Sequence, residues 1–494
     1  MDEYLKKFES SPKFVRGLKK INLELISLII ILIFAFFLRV YSLGYSPFWT
    51  DEAISSMASK MILEKGFPIF DSGMVYGRAY VFHYIQAFFM LLGQNEFWAR
   101  FPSIIFGLLT ILLAYVIGKE YSKTGGIISA LFISVFSLEV FFSRQARFYQ
   151  LFQLMFFLCI YLLYRSGEDK NKKHEKVYLI LSLLAFLIAL DTHIAALVLA
   201  PFIILHILIF NKHKYLAILA FIPLIMGFMP VIRLISDSLK ITANHAENYF
   251  ALTKNLMYMF ILFIPGVLFS GFKKWRLTVL MVLPSIIMLV GIFSLQTFAL
   301  RYSYFFVFPL VIYSSILMSF LYDKLGKIVI LIILFLLIFP SNLVFPYTYA
   351  NVIKPINYNH GYNDYSTPET DYRSVPENII AKLEDKDNTL ISLFSCDVEW
   401  YIRKPDYVIP FSMNGIGEDQ ISYNNSKGEI VDVYSGAPIL TNKAELKNIY
   451  YIAQDSYSYL KLKPSQKERF DKLVSNCSVI YESKTEDLKI WGCD

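Results

Sequence analysis

The stretch that decides the fold is GYSPFWTDEAISSM, residues 44–57, in which two adjacent acids follow the first long apolar run of the chain. Asp51 and Glu52 lie close in sequence to aromatic residues and follow residues 21–38. That segment is long enough to cross a bilayer. One interpretation is a helix start, with Thr50 as N-cap and acids favoured by the helix dipole. The other is chemistry at the membrane surface, since ionisable residues there usually mark a functional path. The two interpretations are compatible.

The composition indicates a polytopic membrane domain followed by a soluble one. The chain has 494 residues, of which 56% are hydrophobic and 18% charged, and its mean hydropathy is +0.48. Soluble proteins are usually about a quarter charged. Apolar runs recur through residues 1–346, where we expect a helical transmembrane domain, whereas residues 347–494 are polar and predict an α/β domain. The net charge of +7 fits cytoplasmic loops better than nucleic-acid binding.

The apolar runs predict eleven spans. A further run, 79–93, is short and contains His83 and Gln86, so it is either a twelfth span or an interfacial helix. If it does not cross, every basic loop falls on one side, as the positive-inside rule requires. We therefore expect a multi-pass protein of the cell membrane, with a cytoplasmic N-terminus and an extracytoplasmic C-terminal domain. The predicted spans are 21–38, 101–118, 126–142, 148–164, 177–190, 194–210, 215–234, 255–272, 277–295, 304–321 and 328–345.

This topology gathers unusual polar residues on the outer face. Arg144 and Arg147 are three residues apart, so a helical turn would place them together, either as a phosphate clamp or as lipid head-group anchors. Asp191 and His193 end the span 177–190, where a lone histidine is more often a satisfied cap. The pair that opens span 304–321, Arg301 and Tyr302, either joins the same site or anchors the interface.

The C-terminal region carries local signals for helices and strands. Residues 389–394 and 449–453 predict strands, Ser374 to Glu377 predicts a capping box, and Ser465 to Glu468 begins another helix. Residues 477–493 predict a hairpin that brings Cys477 opposite Cys493 in a compartment that permits disulfides. The sequence contains no glycine-rich nucleotide loop and no Cys/His cluster with metal-ligand spacing.

Several motifs resemble those of the GT-C superfamily of membrane glycosyltransferases that use polyprenyl-phosphate-linked sugars. The similarity is to the protein O-mannosyltransferase-like and aminoarabinose-transferase-like group, and it covers residues 1–165 by motif and 166–345 mainly by span pattern. The motifs are FWTDEAISS, YGRAYVFHY, GQNEFWARFPSIIFGLLT, FFSRQARFYQLF, DTH and LRYSYFFVFPL. The resemblance implies a catalytic Asp51 and juxtamembrane helices in the first outer loop.

Two departures from the superfamily concern metal use. The sequence has no WWDYG-like motif and no DxD after the third span, which weighs against a metal-dependent oligosaccharide transferase. The sequence does not indicate a specific cofactor, and use of a divalent cation is the alternative.

The resulting hypothesis is an inverting glycosyltransferase that moves a sugar from a polyprenyl-phosphate donor to a hydroxyl of a protein, lipid or glycan. Asp51 would be the general base and Glu52 would orient it or the acceptor. A transporter or flippase is the alternative, but it should show mid-span polar residues and repeated halves. The expected phosphate-binding residues are Arg144, Arg147, Arg301, Tyr149 and Tyr302. The expected substrate-binding residues are Arg78, His83, Asp191 and His193.

Overall fold

The computed structural model describes residues 23–168, 173–227, 257–293, 304–326, 328–329, 332, 370–409, 422–440, 446, 449–484 and 486–493. The N-terminal part is helical, because a chain in hydrocarbon must satisfy its backbone hydrogen bonds internally. Its helices are α1 Leu23–Val40, α2 Thr50–Lys65, α3 Tyr80–Met90, α4 Glu96–Lys119, α5 Lys123–Val135, α6 Ser137–Phe142, α7 Tyr149–Glu168, α8 Glu175–Thr192, α9 Leu199–Phe210, α10 Lys214–Gly227, α11 Met257–Phe293 and α12 Val307–Leu325.

These helices follow the predicted spans closely, with two changes. The predicted span 126–142 is broken at Phe136, whose backbone is extended (φ −66°, ψ 124°) between α5 and α6. The described parts of the spans 255–272 and 277–295 form one continuous element, α11, in which the non-helical Lys274 separates the two spans. Short 3-10 turns precede α9 and α12.

The number of spans remains a prediction. Within the described ranges, four helices are long and apolar enough to cross a membrane by themselves. The predicted span 328–345 lies almost wholly outside the described residues, and so does the boundary near residue 346. Helix α3 has 11 residues, or about 16 Å, which is too short to cross about 30 Å of hydrocarbon. This length supports an interfacial position for α3.

The C-terminal domain is built on a mixed five-stranded sheet. The strand order is β2-β1-β5-β7-β6, with β1 parallel to β2 and β5, and β7 antiparallel to β5 and β6. Strands β3 and β4 form a separate antiparallel pair. The strands are β1 Thr389–Ser392, β2 Tyr407–Val408, β3 Ser422–Asn424, β4 Ile430–Asp432, β5 Tyr450–Asp455, β6 Ser478–Glu482 and β7 Leu488–Cys493. The helices are α13 Glu377–Glu384, α14 Ser395–Tyr401, α15 Ser456–Lys461 and α16 Pro464–Val474.

Local predictions for this domain are largely confirmed. Both predicted strands form, and the hairpin β6–β7 is closed by a disulfide between Cys477 and Cys493. The predicted capping box is wrong. Pro376 precedes α13, and the Ser374 hydroxyl donates to the Asp371 carbonyl at 2.9 Å instead of capping the helix.

The C-terminal domain packs directly on α2 and on the loop that follows it. One buried cluster combines Ile54 and Met57 of α2 and Phe70 of the following loop with Ile391 and Phe394 of the sheet domain. Polar contacts reinforce it. The backbone N–H of Phe48 donates to the Tyr401 hydroxyl at 2.7 Å, and the Lys404 ammonium lies 3.0 Å from the Asp71 carboxylate. The sheet domain therefore lies at the membrane-domain end that carries Asp51.

Candidate active site

The two adjacent acids occupy the first turn of α2 but face different surroundings. Helix α2 begins at Thr50, and the extended residue Trp49 takes the N-cap position predicted for Thr50. The Asp51 side chain is 24% exposed, whereas Glu52 is 1% exposed. Successive helical residues point about 100° apart. Of these two acids, only Asp51 is accessible to a ligand.

Glu52 is held in a buried ion pair with Arg100 of α4. Arg100 Nε and Nη2 donate to the two carboxylate oxygens at 2.8 and 2.7 Å, and the Ala146 N–H donates at 2.6 Å. Arg100 also donates to the carbonyl groups of Leu43, Ser46 and Pro47. This network fixes the segment that leads into α2. The sequence prediction did not include Arg100, although it lies in one of the quoted motifs.

Asp51 is paired with Arg147, which comes from the segment between α6 and α7. Arg147 Nη2 lies 3.3 Å from Asp51 Oδ2, and Nη1 donates to the Asp51 carbonyl at 3.0 Å and the Ser55 hydroxyl at 2.6 Å. Burial opposes the charge of Arg147, but the Asp51 carboxylate and neighbouring tyrosines raise its pKa well above the ordinary value. Arg147 is therefore a permanent buried cation beside a partly exposed carboxylate.

A second guanidinium, that of Arg78, shares its partners with Arg147. The Tyr76 hydroxyl accepts from Arg78 Nε at 3.1 Å and from Arg147 Nη1 at 3.2 Å. The two guanidinium carbons lie 5.6 and 4.5 Å from the centre of the Phe148 ring, within cation–π range. Tyr76 and Phe148 thus hold the two cations together. Neither was predicted, although both lie within quoted motifs.

His83 and His193 both lie in the field of this arginine pair. His83 Nδ1 donates to the Ala79 carbonyl at 2.7 Å, and His193 Nδ1 accepts from the Ala195 N–H at 3.1 Å. Burial, assisted by the two arginines, lowers the pKa of His83 to about 3 and that of His193 to about 4. Both imidazoles are neutral at physiological pH and offer hydrogen bonds rather than charge.

Asp191 connects α8 to the short helix α3. Its two carboxylate oxygens accept from the backbone N–H groups of Tyr80 and Val81 at 3.1 and 3.0 Å. An acid in this position satisfies two orphan donors and complements the helix dipole. Asp191 therefore fixes the start of α3 and, with it, the adjacent Arg78.

A cleft of about 590 Å³ opens beside these residues. Its polar wall contains Arg78, Asp191 and His193, and its apolar wall includes Leu197 and Met226. A concave site with an apolar wall and a few converging polar groups suits an amphiphilic ligand.

The predicted clamp of Arg144 and Arg147 does not form. Residues 143–148 form a turn between helices rather than a helical turn, so the three-residue spacing does not place both side chains on one face. Arg144 Nη1 donates to the carbonyl groups of Arg39 and Tyr41 at 2.7 and 2.8 Å, which satisfies the end of α1. Tyr149 lies with its ring 5.5 Å from the Arg147 guanidinium. The two remaining predicted residues, Arg301 and Tyr302, are outside the described residues.

The residues around Asp51 do not suit a divalent cation. Both Glu52 oxygens accept hydrogen bonds from Arg100, and Asp51 faces the Arg147 guanidinium. Within the part of the chain that the structure describes, no three His, Cys, Asp or Glu side chains gather as a metal site. The side chains around Asp51 are therefore engaged with arginines rather than arranged as ligands of a metal ion.

Comparison with known proteins identifies the architecture. Residues 78–235 match the family model described as dolichyl-phosphate-mannose-protein mannosyltransferase. The structure is similar to ArnT from Cupriavidus metallidurans bound to undecaprenyl phosphate, with a TM-score of 0.61, 11% identity, and coverage of 95% of this chain and 97% of that chain. The fold is that of the GT-C glycosyltransferases. This finding confirms the resemblance recognised in the sequence and the predicted fold class.

A second GT-C structure gives the same result. The oligosaccharyltransferase of Archaeoglobus fulgidus, in complex with Zn and sulfate, has a TM-score of 0.54 and 12% identity, with coverage of 94% of this chain and 72% of that chain. No curated protein sequence matches this chain. The fold and the apolar helices support a multi-pass membrane protein with the GT-C fold, and the match to a mannosyltransferase family covers residues 78–235. The family match begins at Arg78 and does not include Asp51.

Proposed function

We propose that this GT-C protein transfers a sugar from a polyprenyl-phosphate donor to an acceptor hydroxyl, with inversion at the anomeric carbon. One observation carries the proposal: a partly exposed carboxylate, Asp51, is paired with Arg147, and the Arg147 guanidinium shares the Tyr76 hydroxyl with Arg78. A base and an anion-binding pair are the two elements that this transfer needs.

The donor phosphate would bind to Arg78 and Arg147. Guanidinium groups suit phosphate because they offer parallel N–H donors and a fixed positive charge. The adjacent cleft has polar residues near Arg78 and an apolar wall formed by Leu197 and Met226, which would take the first isoprenyl units. The similar ArnT structure was determined with undecaprenyl phosphate, which supports a donor of this class.

In the proposed reaction, the acceptor hydroxyl oxygen attacks the anomeric carbon from the face opposite the phosphate. The bond between that carbon and the phosphate oxygen breaks, and its electron pair leaves on the phosphate. Asp51 takes the acceptor proton, a contribution of about 10²–10⁴-fold in rate. Arg78 and Arg147 stabilise the charge that grows on the leaving phosphate, which is often the largest single effect. Glu52 acts only by holding α2 in place through Arg100.

The test is sugar transfer by the purified full-length protein in lipid nanodiscs. Polyprenyl-phosphate donors carrying radiolabelled mannose, glucose or aminoarabinose are mixed with heat-treated membranes of the source organism, and loss of label from the donor is measured. Asp51→Asn should abolish transfer while the protein stays folded and inserted. Glu64→Gln, which changes an exposed acid at the far end of the same helix, is the matched control and should retain activity.

Three outcomes would contradict the proposal. A wild type that cleaves none of the donors refutes the function, and a transporter would move the donor without breaking its sugar–phosphate bond. If Asp51→Asn stays active while folded Glu52→Gln is inactive, then the base is Glu52. If neither substitution matters, the two acids only begin a helix.

A further inference from the structure

A turn of the C-terminal domain, residues 432–437, packs on the loop that follows α2. It follows β4 and is organised by the buried Asp432. Oδ2 of Asp432 accepts from the Ser435 N–H and the Ser435 hydroxyl, both at 2.7 Å, and from the Ser395 hydroxyl at 2.6 Å. These bonds fix the turn to the N-terminus of α14, so its tip has a defined position.

The turn is also docked on the first outer loop. The Ser72 hydroxyl donates to the Val433 carbonyl at 2.5 Å. Gly436 has a left-handed backbone (φ +67°), and a Cβ atom there would lie 2.9 Å from backbone atoms of Asp71 and Ser72. Any other residue would be strained and would collide. Glycine is thus required for the close approach of the turn to this loop.

Tyr434 is the residue that this turn presents. Its ring packs edge-on against Phe70 at 5.3 Å and Phe394 at 5.9 Å, and Phe70 in turn contacts Tyr76 at 5.9 Å. The Tyr76 hydroxyl accepts from Arg147, which is paired with Asp51. The ring therefore extends an aromatic path from the sheet domain to the site.

The hydroxyl group of Tyr434 makes no hydrogen bond within the part of the chain that the structure describes. The Tyr434 side chain is only half-buried. Burial first, and then the nearby groups Cys396, Tyr76, Asp432 and Asp51, raise the pKa of Tyr434 well above its ordinary value. The hydroxyl therefore stays protonated and can both donate and accept a hydrogen bond.

We infer that Tyr434 binds the acceptor, its hydroxyl contacting the acceptor beside Asp51 and its ring forming one wall of the acceptor site. The inference rests on the proposed function and deepens it, because it places a residue of the C-terminal domain in the acceptor site. The ligand class is a hydroxyl-bearing acceptor: a polar group suits the phenol, and an apolar face suits the ring.

The experiment separates transfer to the acceptor from transfer to water. Full-length protein in nanodiscs receives the radiolabelled donor that the wild type cleaves, with serial dilutions of heat-treated source membranes as acceptor, and hydrolysis is measured without membranes. Tyr434→Phe should raise the half-saturating amount of membranes about tenfold, the equivalent of one hydrogen bond, and leave hydrolysis within about twofold. Tyr481→Phe, which removes a bonded hydroxyl elsewhere in the domain, should match wild type.

Two glycine variants test the docking of the turn. Gly436→Ala should reduce transfer to the acceptor strongly, because the new Cβ pushes Tyr434 away from the site. Gly428→Ala introduces the same left-handed strain (φ +79°) in open space, and it should leave transfer near the wild-type rate. Equal transfer by the two alanine variants would overturn the docking argument.

The outcomes for the inference and for the proposed function are distinct. A wild type without donor cleavage refutes the function, and the inference with it. An active wild type with an unchanged Tyr434→Phe variant overturns the inference alone and leaves Tyr434 as a packing residue. Loss of hydrolysis in parallel with transfer in Tyr434→Phe also overturns it, since the residue would then act on the donor or on folding.

Discussion

At the scale of single residues, two adjacent acids perform different tasks because the helix turns between them. Glu52 faces the interior, where Arg100 and the Ala146 N–H satisfy its oxygens. Removing one partner of such a buried pair costs about 3–5 kcal/mol, since the other charge is left uncompensated. If a Glu52 variant loses activity, its folding must also be measured, because destabilisation alone can remove activity.

Substitution of Arg147 tests whether this side chain binds the donor phosphate. Its guanidinium contacts Asp51, Ser55 and Tyr76 together, and a lysine lacks the fork that reaches three partners. We expect Arg147→Lys to lower kcat about 10–100-fold, or about 1.4–2.7 kcal/mol, and to raise KM for the donor.

The kinetic measurement for Arg147→Lys needs a matched arginine variant. Arg165→Lys changes an arginine that pairs with Glu120 at 2.7 Å, outside the proposed site, and it should keep both constants. Normal donor kinetics in a folded Arg147→Lys variant would remove Arg147 from the proposed phosphate site.

At the scale of elements, the junction between β5 and α15 carries a buried acid with an incomplete hydrogen-bond set. Asp455 Oδ1 caps α15 by accepting from the Ser458 N–H at 2.7 Å. Oδ2 is buried, and no residue that the structure describes donates to it. Burial raises the pKa of Asp455 to about 6, so the folded domain binds a proton that the unfolded chain releases.

The resulting pH dependence has a definite sign. A carboxyl group with a raised folded pKa favours folding below its unfolded pKa, and this stability is lost as pH rises toward 6. Asp455→Asn keeps the capping oxygen and removes the charge. It should raise the free energy of unfolding at pH 7.5 by about 3 kcal/mol and flatten the pH dependence between about 4 and 6.

Thermal unfolding of the full-length protein from pH 4 to 7.5 measures this effect. Asp471→Asn, at an exposed position on α16, should leave the melting curve against pH unchanged. A lower Tm for Asp455→Asn at pH 7.5 would show that the ionised carboxylate stabilises the junction.

At the scale of the whole molecule, the two ends of the helical domain carry different parts of the chain: a basic loop at one end, and the site with the C-terminal domain at the other. Helix α8 has 18 residues, about 27 Å, and it connects the loop near Lys173 to Asp191 at the site. The C-terminal domain contacts the site end through Phe48 and Tyr401. If α8 spans the bilayer, Lys173 and the C-terminal domain lie on opposite sides.

Reporter fusions test this topology. A reporter placed after Lys173 should be cytoplasmic, because the basic loop 165–176 follows the positive-inside rule, and one fused at Asp494 should be extracytoplasmic. Fusions at both positions that report the same side would refute the predicted topology.

The elements of this protein were predictable because their signals are local. Span-length apolar runs, the brevity of α3, the strands β1 and β5 and the disulfide-closed hairpin all follow from hydropathy and spacing within a few residues. The resemblance located Asp51 in the same way, by a short motif beside the first span. The predicted capping box at Ser374 is wrong because Pro376, two residues later, takes the N-cap position of the helix.

The site itself depends on pairings that no local pattern contains. Glu52 meets Arg100 across 48 residues, and Arg147 meets the backbone of Asp51 across 96. Only packing decides that Arg78, rather than Arg144, joins Arg147, because the turn between α6 and α7 directs Arg144 to the end of α1. Sequence alone determined the long apolar helices, the strands β1 and β5 and the β6–β7 hairpin, whereas tertiary structure decided which charged side chains meet, because that depends on how distant segments pack.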